Sequence, residues 1–230
     1  MSRPEPAQGV QPGADQVQPP RYGRYLFLLA VVIIVLLTIN RSLTSSKIQT
    51  GVRPGKAIPP FALPLAAGTV DGDANVATRP NQGSAGKIPA CTVRATGILN
   101  VCELSERSPL VLALFVDASG CQAVLSSMQA SAASNPGVRF AAVAIKGQRP
   151  QLLRLIAQRG LTRVQVGFDT DGVLASLYEM VSCPQVTFVL PGGVAQSKPL
   201  LTTPSTAALN ARVAALVAAA RARGWRNPKR

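Results

Sequence analysis

An α/β fold is predicted by three observations. Leu110 to Val116 is an unbroken apolar run rich in Val and Leu, too short for a membrane span and suited to a central strand covered on both faces. Asp117-Ala118-Ser119-Gly120 then reads as a turn, and beyond Cys121 the apolar positions Val124, Leu125 and Met128 take up the spacing of one helix face. From there to the C-terminus strand and helix patterns alternate, which is the order of an α/β layer structure.

Residues 1–24 hold Pro, Gln, Gly and Arg with almost no aliphatic side chains, a composition that cannot bury enough surface to fold, and are read as a disordered cytoplasmic tail. Tyr25 to Ile39, YLFLLAVVIIVLLTI, is uncharged and is bracketed by Arg21, Arg24 and Arg41. With Thr38 and Asn40 counted it approaches the ~17 residues of a short span. No small-x-small cleavage site follows, so residues 25–40 are expected to be an uncleaved signal anchor, one transmembrane helix in lipid. Flanking charges do not set the orientation, because Arg21 and Arg24 compete with Arg41, Lys47, Arg53 and Lys56. All the cysteines follow the span, as suits an oxidising compartment, so the expectation is a single-pass protein of the cell membrane with its domain on the extracytoplasmic side.

Residues 41–57 read as a linker and residues 58–222 as the folded domain. IPPFALPLAAG, from Ile58 to Gly68, is an extended entry segment whose prolines forbid helix, and Val70 to Lys87 is a loop without periodicity. Cys91 to Leu104 reads as two short strands about a turn near Gly97, a hairpin extension with Cys91 and Cys102 toward its two ends. A structural disulfide there is favoured over two free thiols, since a loop-rich segment outside the main core gains from a staple.

After the first core strand and its helix, Val138 to Lys146 is a second core strand. Pro150 opens a helix that Gly160 closes, with Leu152, Leu153, Leu155 and Ile156 expected inward. VQVGFD is a short strand, DGVLASLYEM a short helix, and QVTFVL is expected to return through two glycines as a hairpin over Val194 to Leu201. Thr203-Pro204-Ser205 starts a last amphipathic helix bearing Leu209, Val213, Leu216 and Val217, and residues 223–230 form a basic tail.

Composition excludes several chemistries. The chain has no histidine, which removes Ser-His-Asp and Cys-His catalysis and every imidazole metal site. Its four cysteines, at 91, 102, 121 and 183, contain no Cys-x-x-Cys pair, so redox or structural disulfides are favoured over zinc, and neither metal nor cofactor is expected. The net charge of +14 is concentrated partly in the tail, with six of the 24 basic residues from Arg212 onward, and aromatics are few. Nucleic-acid binding is therefore not expected.

Cys121 is the candidate for chemistry. A thiol where a buried strand hands over to a helix lies against unpaired N–H groups and the positive end of the helix dipole, which favours a thiolate. The plainer reading makes it a small apolar residue closing the top of a core. Asp117, just below the turn, is a candidate proton acceptor, with an idle solvated loop acid as the alternative.

The order of elements, with a thiol after the first core strand and an X-Pro step before a late hairpin, resembles the thioredoxin fold. IPPFALPLAAG resembles the entry segment, LALFVDASGC the strand and active-site turn, and SCPQVTFVLPGG the cis-proline loop of membrane-anchored, extracytoplasmic thioredoxin-like proteins of the thiol-disulfide exchange and cytochrome-maturation group. By this resemblance Cys121 falls at the attacking cysteine and Pro184 at the cis-proline, which would contact substrate. Val124 stands where the second cysteine of a CxxC pair would be. The residue before Pro184 is Cys183, and in that fold this position lies against the attacking thiol, so the resemblance implies that Cys121 and Cys183 are neighbours in space.

Three functions follow from that reading. The first is a thiol-disulfide oxidoreductase acting on protein thiols or disulfides, with Cys121 attacking and Cys183 resolving. The second is a binding or structural module whose Cys121–Cys183 bond is permanent and whose surface around Pro184 grips a peptide. The third is a thiol peroxidase, disfavoured because Val-Asp-Ala-Ser-Gly supplies neither the Pro nor the Thr such sites place ahead of their cysteine.

Overall fold

The computed structural model of the protein describes residues 22–43 and 50–227, and the chain divides into two units, residues 1–47 and 48–230. The tail expected in residues 1–24 lies outside the described residues up to position 21, as do linker residues 44–49 and tail residues 228–230.

The first unit contains helix α1, Gly23–Leu43. Its apolar side chains from Leu26 to Leu36 are exposed, Leu26 at 65% and Ile34 at 59%. Among the described residues no helix is long and apolar enough to cross a membrane. The side chains described in α1 end at Leu36, inside the span expected over residues 25–40.

The second unit is built on a five-stranded sheet. Its strands are β3 (Leu110–Val116), β4 (Arg139–Ile145), β5 (Gln165–Asp169), β6 (Gln185–Leu190) and β7 (Val194–Ala195), and a two-stranded sheet precedes it, β1 (Ala62–Pro64) and β2 (Ile98–Asn100). The helices are α2 (Val101–Glu106), α3 (Ser119–Ser134), α4 (Arg149–Arg159), α5 (Val173–Leu177) and α6 (Thr206–Ala222). The large sheet runs β5-β4-β3-β6-β7, with β3 at the centre, parallel to β4 and antiparallel to β6.

Strand alternation sorts the core into two layers. Val111, Ala113 and Phe115 of β3 face a layer made by Val124, Leu125 and Met128 of α3 with Leu209, Val213 and Leu216 of α6. Leu110, Leu112 and Leu114 face the opposite layer, made by Phe61, Leu63, Leu99, Leu174 and Tyr178. That is why β3 reads as a continuous apolar run: both of its faces are covered. Helix α6 starts at Ser205, whose hydroxyl accepts the Ala208 N–H.

Cys91 to Leu104 does not form the expected hairpin. Ala90–Thr92 is a 3-10 turn, β2 pairs with β1 of the entry segment from Ala62↔Asn100 to Pro64↔Ile98, and α2 begins at once. The cause is Asn100, whose side-chain oxygen accepts the N–H groups of Cys102 and Glu103 and so starts a helix where strand was expected to continue. The hairpin over Val194–Leu201 is also shorter than expected: β7 covers Val194–Ala195, and the chain rejoins the sheet at Leu200, which bridges Val186. Pro199 has no N–H to give a ladder there. In α4, Leu152 and Leu155 are buried but Leu153 is 44% exposed, so the inward stripe is narrower than the sequence suggests.

Two contacts hold the small sheet to the large one. Gly167 in β5 bridges Leu65, and a Cβ there would lie 2.2 Å from Leu63 Cδ1 and 3.1 Å from the Pro64 carbonyl, so the close approach requires glycine. The Arg149 guanidinium donates to the carbonyls of Leu65 (3.0 Å), Ala66 (3.1 Å), Gly68 and Val70, pairs with Asp71 at 2.9 Å, and lies over the Phe168 ring.

Candidate functional site

The C-terminal end of β3 carries the site. Beyond Val116 the chain turns through Asp117 and Ala118, and the Ala118 carbonyl accepts the N–H groups of both Cys121 and Gln122. Cys121 therefore sits in the first turn of α3, a helix with no acidic side chain there to oppose its dipole. The Thr203 hydroxyl donates to the Gly120 carbonyl at 3.1 Å and ties this turn to the segment that enters α6.

Cys183 arrives from the opposite direction. The Cys183–Pro184 peptide is cis, Pro184 is buried, and β6 starts at the next residue. Gln185 is fully buried and donates through Nε2 to the Tyr178 carbonyl at 2.9 Å, while the Ser182 hydroxyl donates to Leu201 at 2.5 Å. These bonds fix the loop on both sides of the cysteine.

Cys121 and Cys183 are joined as a disulfide with a Cα–Cα distance of 5.4 Å, although 62 residues separate them in sequence. Both are half-buried and pack against the α3–α6 layer. The Val116 N–H donates to Cys183 Sγ at 3.3 Å. Strand register explains this bond. The β3–β6 ladder ends at Leu114↔Gln185, and the next residues of the incoming chain, Pro184 and Cys183, continue opposite Phe115 and Val116 without a strand partner, so the Val116 amide finds sulfur.

Val124 is fully buried against the core, so its position does not face Cys121's partner. Asp117 is exposed and accepts a hydrogen bond from the Gln122 side chain. Cys91 and Cys102 are also bonded, with a Cα–Cα distance of 5.3 Å, at the other end of the sheet, where α2 precedes the start of β3. All four cysteines are thus paired in two disulfides.

Two features of this region were not legible in the sequence. The Val116 amide is backbone and carries no residue signature. Asp169, at the end of β5, is fully buried and accepts the N–H groups of Gly172 at 3.1 Å and Leu174 at 2.8 Å. Burial pushes its carboxyl up to about 6, the Asp171 side chain and charge add to this, and the two N–H groups oppose it. An Asp in the turn between a strand and a short helix is a recognisable capping signal, but nothing local shows that it is buried.

No family model matches the chain, and no curated protein matches it. Solved structures do resemble it. A thiol:disulfide interchange protein of the thioredoxin family from Chlorobium tepidum TLS matches at 14% identity and a TM-score of 0.52, over 72% of this chain and 98% of that one. A second protein of Chlorobium tepidum, assigned as thiol:disulfide interchange protein DsbE, matches at 17% identity and 0.51, over 74% and 98%. The thioredoxin domain of a thiol-disulfide oxidoreductase from Bacteroides vulgatus matches at 12% identity and 0.50, over 72% and 99%. At these identities the likeness establishes the fold: the second unit is a mixed α/β, thioredoxin-like domain.

Proposed function

We propose that the protein is a membrane-anchored, extracytoplasmic thiol-disulfide oxidoreductase that exchanges through Cys121 and Cys183. One observation carries this reading: the bonded pair joins the first turn of a long helix to the residue preceding a cis-proline, on a thioredoxin-like scaffold. The interchange proteins that share the fold support it.

The chemistry needs no cofactor. In the oxidising direction a substrate thiolate attacks Cys121 Sγ, the Cys121–Cys183 bond breaks, and Cys183 leaves as a thiolate facing the Val116 N–H. A second substrate thiolate then attacks the substrate sulfur of the mixed disulfide, and Cys121 leaves as a thiolate at the N-terminus of α3, where the helix dipole stabilises it. Two electrons pass from substrate to protein. In reverse, the Cys121 thiolate opens a substrate disulfide and Cys183 resolves the intermediate by attacking Cys121. Protein thiols or disulfides are the substrates, held by main-chain pairing along the loop at Pro184, next to Val181, which is 55% exposed.

Anchoring is supported by the uncharged run Tyr25–Ile39 and by the exposed apolar side chains of α1. Localisation at the cell membrane, with the domain outside, follows from that run and from the paired state of all four cysteines.

Disulfide mapping by differential alkylation and mass spectrometry, with and without mild dithiol, tests the exchange. The proposal expects the Cys121–Cys183 peptides to convert to free thiols and back on adding a disulfide substrate. A bond that stays closed in the native protein would leave the alternative, a peptide-binding module with a permanent crosslink.

A further inference from the structure

The second disulfide was expected to be a staple, yet the segments it joins are already held. Asn100, 2% exposed, donates through Nδ2 to the Ala90 carbonyl at 2.9 Å and the Val93 carbonyl at 2.7 Å, and its Oδ1 accepts the N–H groups of Cys102 and Glu103. The Ala90 N–H also bonds the Ala77 carbonyl at 2.7 Å. The 3-10 turn bearing Cys91 is thus fixed to the start of α2 whether or not sulfur is bonded to sulfur, and an opened pair would stay within reach of reclosure.

The bond is also accessible. Cys91 is exposed, unlike the half-buried Cys121 and Cys183, and both Cys91 and Cys102 line a cavity of about 460 Å³. That volume is in the range of small-molecule sites. Its apolar wall is Ile58, Pro60 and Val101, its floor includes the turn Gly192–Gly193, and its rim carries Arg94 and Glu106. These two pair at 3.1 Å with side chains 50% and 45% exposed, so separating them costs little. One cation and one anion beside a disulfide match a ligand that carries a carboxylate, an ammonium and a thiol.

We propose that Cys91–Cys102 is a second thiol-exchange site, independent of Cys121–Cys183, which takes a small amino-acid thiol of the cysteine class in this groove. The ligand thiolate attacks the exposed Cys91 Sγ, a sulfur–sulfur bond to Cys91 forms, and Cys102 leaves as a thiolate. A second ligand thiolate attacks the ligand sulfur, releasing the ligand disulfide and the Cys91 thiolate, so two thiols are oxidised as one protein disulfide is reduced. The two sites lie at opposite ends of β3, on the order of 20 Å apart by strand rise, so neither reduces the other within one chain.

The test is the rate at which L-cysteine and mercaptoethanol, at equal thiolate concentration, open Cys91–Cys102 in the full chain, read by alkylation and peptide mass. Mapping keeps this disulfide separate from Cys121–Cys183, so failure of exchange at one does not obscure the other. The proposal expects a cysteine adduct on Cys91 and opening by cysteine about tenfold faster than by mercaptoethanol, the worth of two exposed charge contacts. The R94A/E106A double variant should lose that preference while keeping its helical circular dichroism. Equal rates for the two thiols, a bond that neither opens, or an unchanged preference in a folded double variant would overturn it. The wild-type comparison alone decides the matter if the double variant does not fold.

Discussion

The Val116 amide donates a hydrogen bond to Cys183 Sγ, so one backbone N–H of the central strand points at one sulfur of the Cys121–Cys183 disulfide. The two sulfurs are therefore not equivalent. Cys121 has the start of a 16-residue helix behind it, and Cys183 has the end of a strand. Each has a distinct means of carrying a thiolate's charge, which a pair that takes turns as leaving group requires.

Substituting the two cysteines separately should give different products. Cys183→Ser leaves Cys121 able to attack but removes the resolving thiol, and is expected to accumulate a mixed disulfide between Cys121 and a protein substrate. Cys121→Ser should yield no such adduct and no exchange. Non-reducing electrophoresis followed by peptide mapping reads both. Equal adduct formation by the two variants would remove the distinction between attacking and resolving roles.

Asp169 predicts a pH dependence of stability. Its folded value, about 6, lies above its ordinary value of 3.8, so the native state holds this proton more tightly than the unfolded chain. The stabilisation is complete below the unfolded value and is lost as pH rises to the folded one, giving a fall in stability between about pH 4 and 6 and a plateau above. Asp169→Asn should flatten that part of the profile relative to wild type in urea unfolding. An identical slope in the variant would contradict the burial argument.

Gly167 is where the two sheets touch most closely. Gly167→Ala forces a methyl group against Leu63 and the Pro64 carbonyl, and is expected to cost about 1–3 kcal/mol in chemical denaturation, as overpacking does. A variant as stable as wild type would mean that the entry segment moves away freely.

Arg149 gathers carbonyls that lysine cannot gather with one ammonium. Arg149→Lys should lower stability by about 2 kcal/mol, the scale of hydrogen bonds to a charged group, and should open residues 65–71 to limited proteolysis. Unchanged cleavage in that loop would show that the clamp is dispensable.

The core strands and long helices were legible because hydrophobic period reports burial directly: β3, β4 and α6 follow it nearly residue for residue. Ile98 to Leu104 was misread because the side chain of Asn100 decides it, turning a strand into a helix within one residue. The Arg149 clamp joins residues 78 and more apart in sequence, and no local pattern announces such contacts. Cys121 and Cys183 came together on the page only through resemblance to a known fold, since a separation of 62 residues has no period to read. The amide that meets Cys183 depends on where the β3–β6 ladder stops, which only the three-dimensional register discloses.

The reduction potential of Cys121–Cys183, measured by equilibration with a dithiol buffer and quantified on the two peptides, tests the central claim most directly. An exchanging bond predicts a value less negative than about −300 mV, within reach of partner dithiols. A value well below about −300 mV would mark the bond as permanent and contradict the oxidoreductase account.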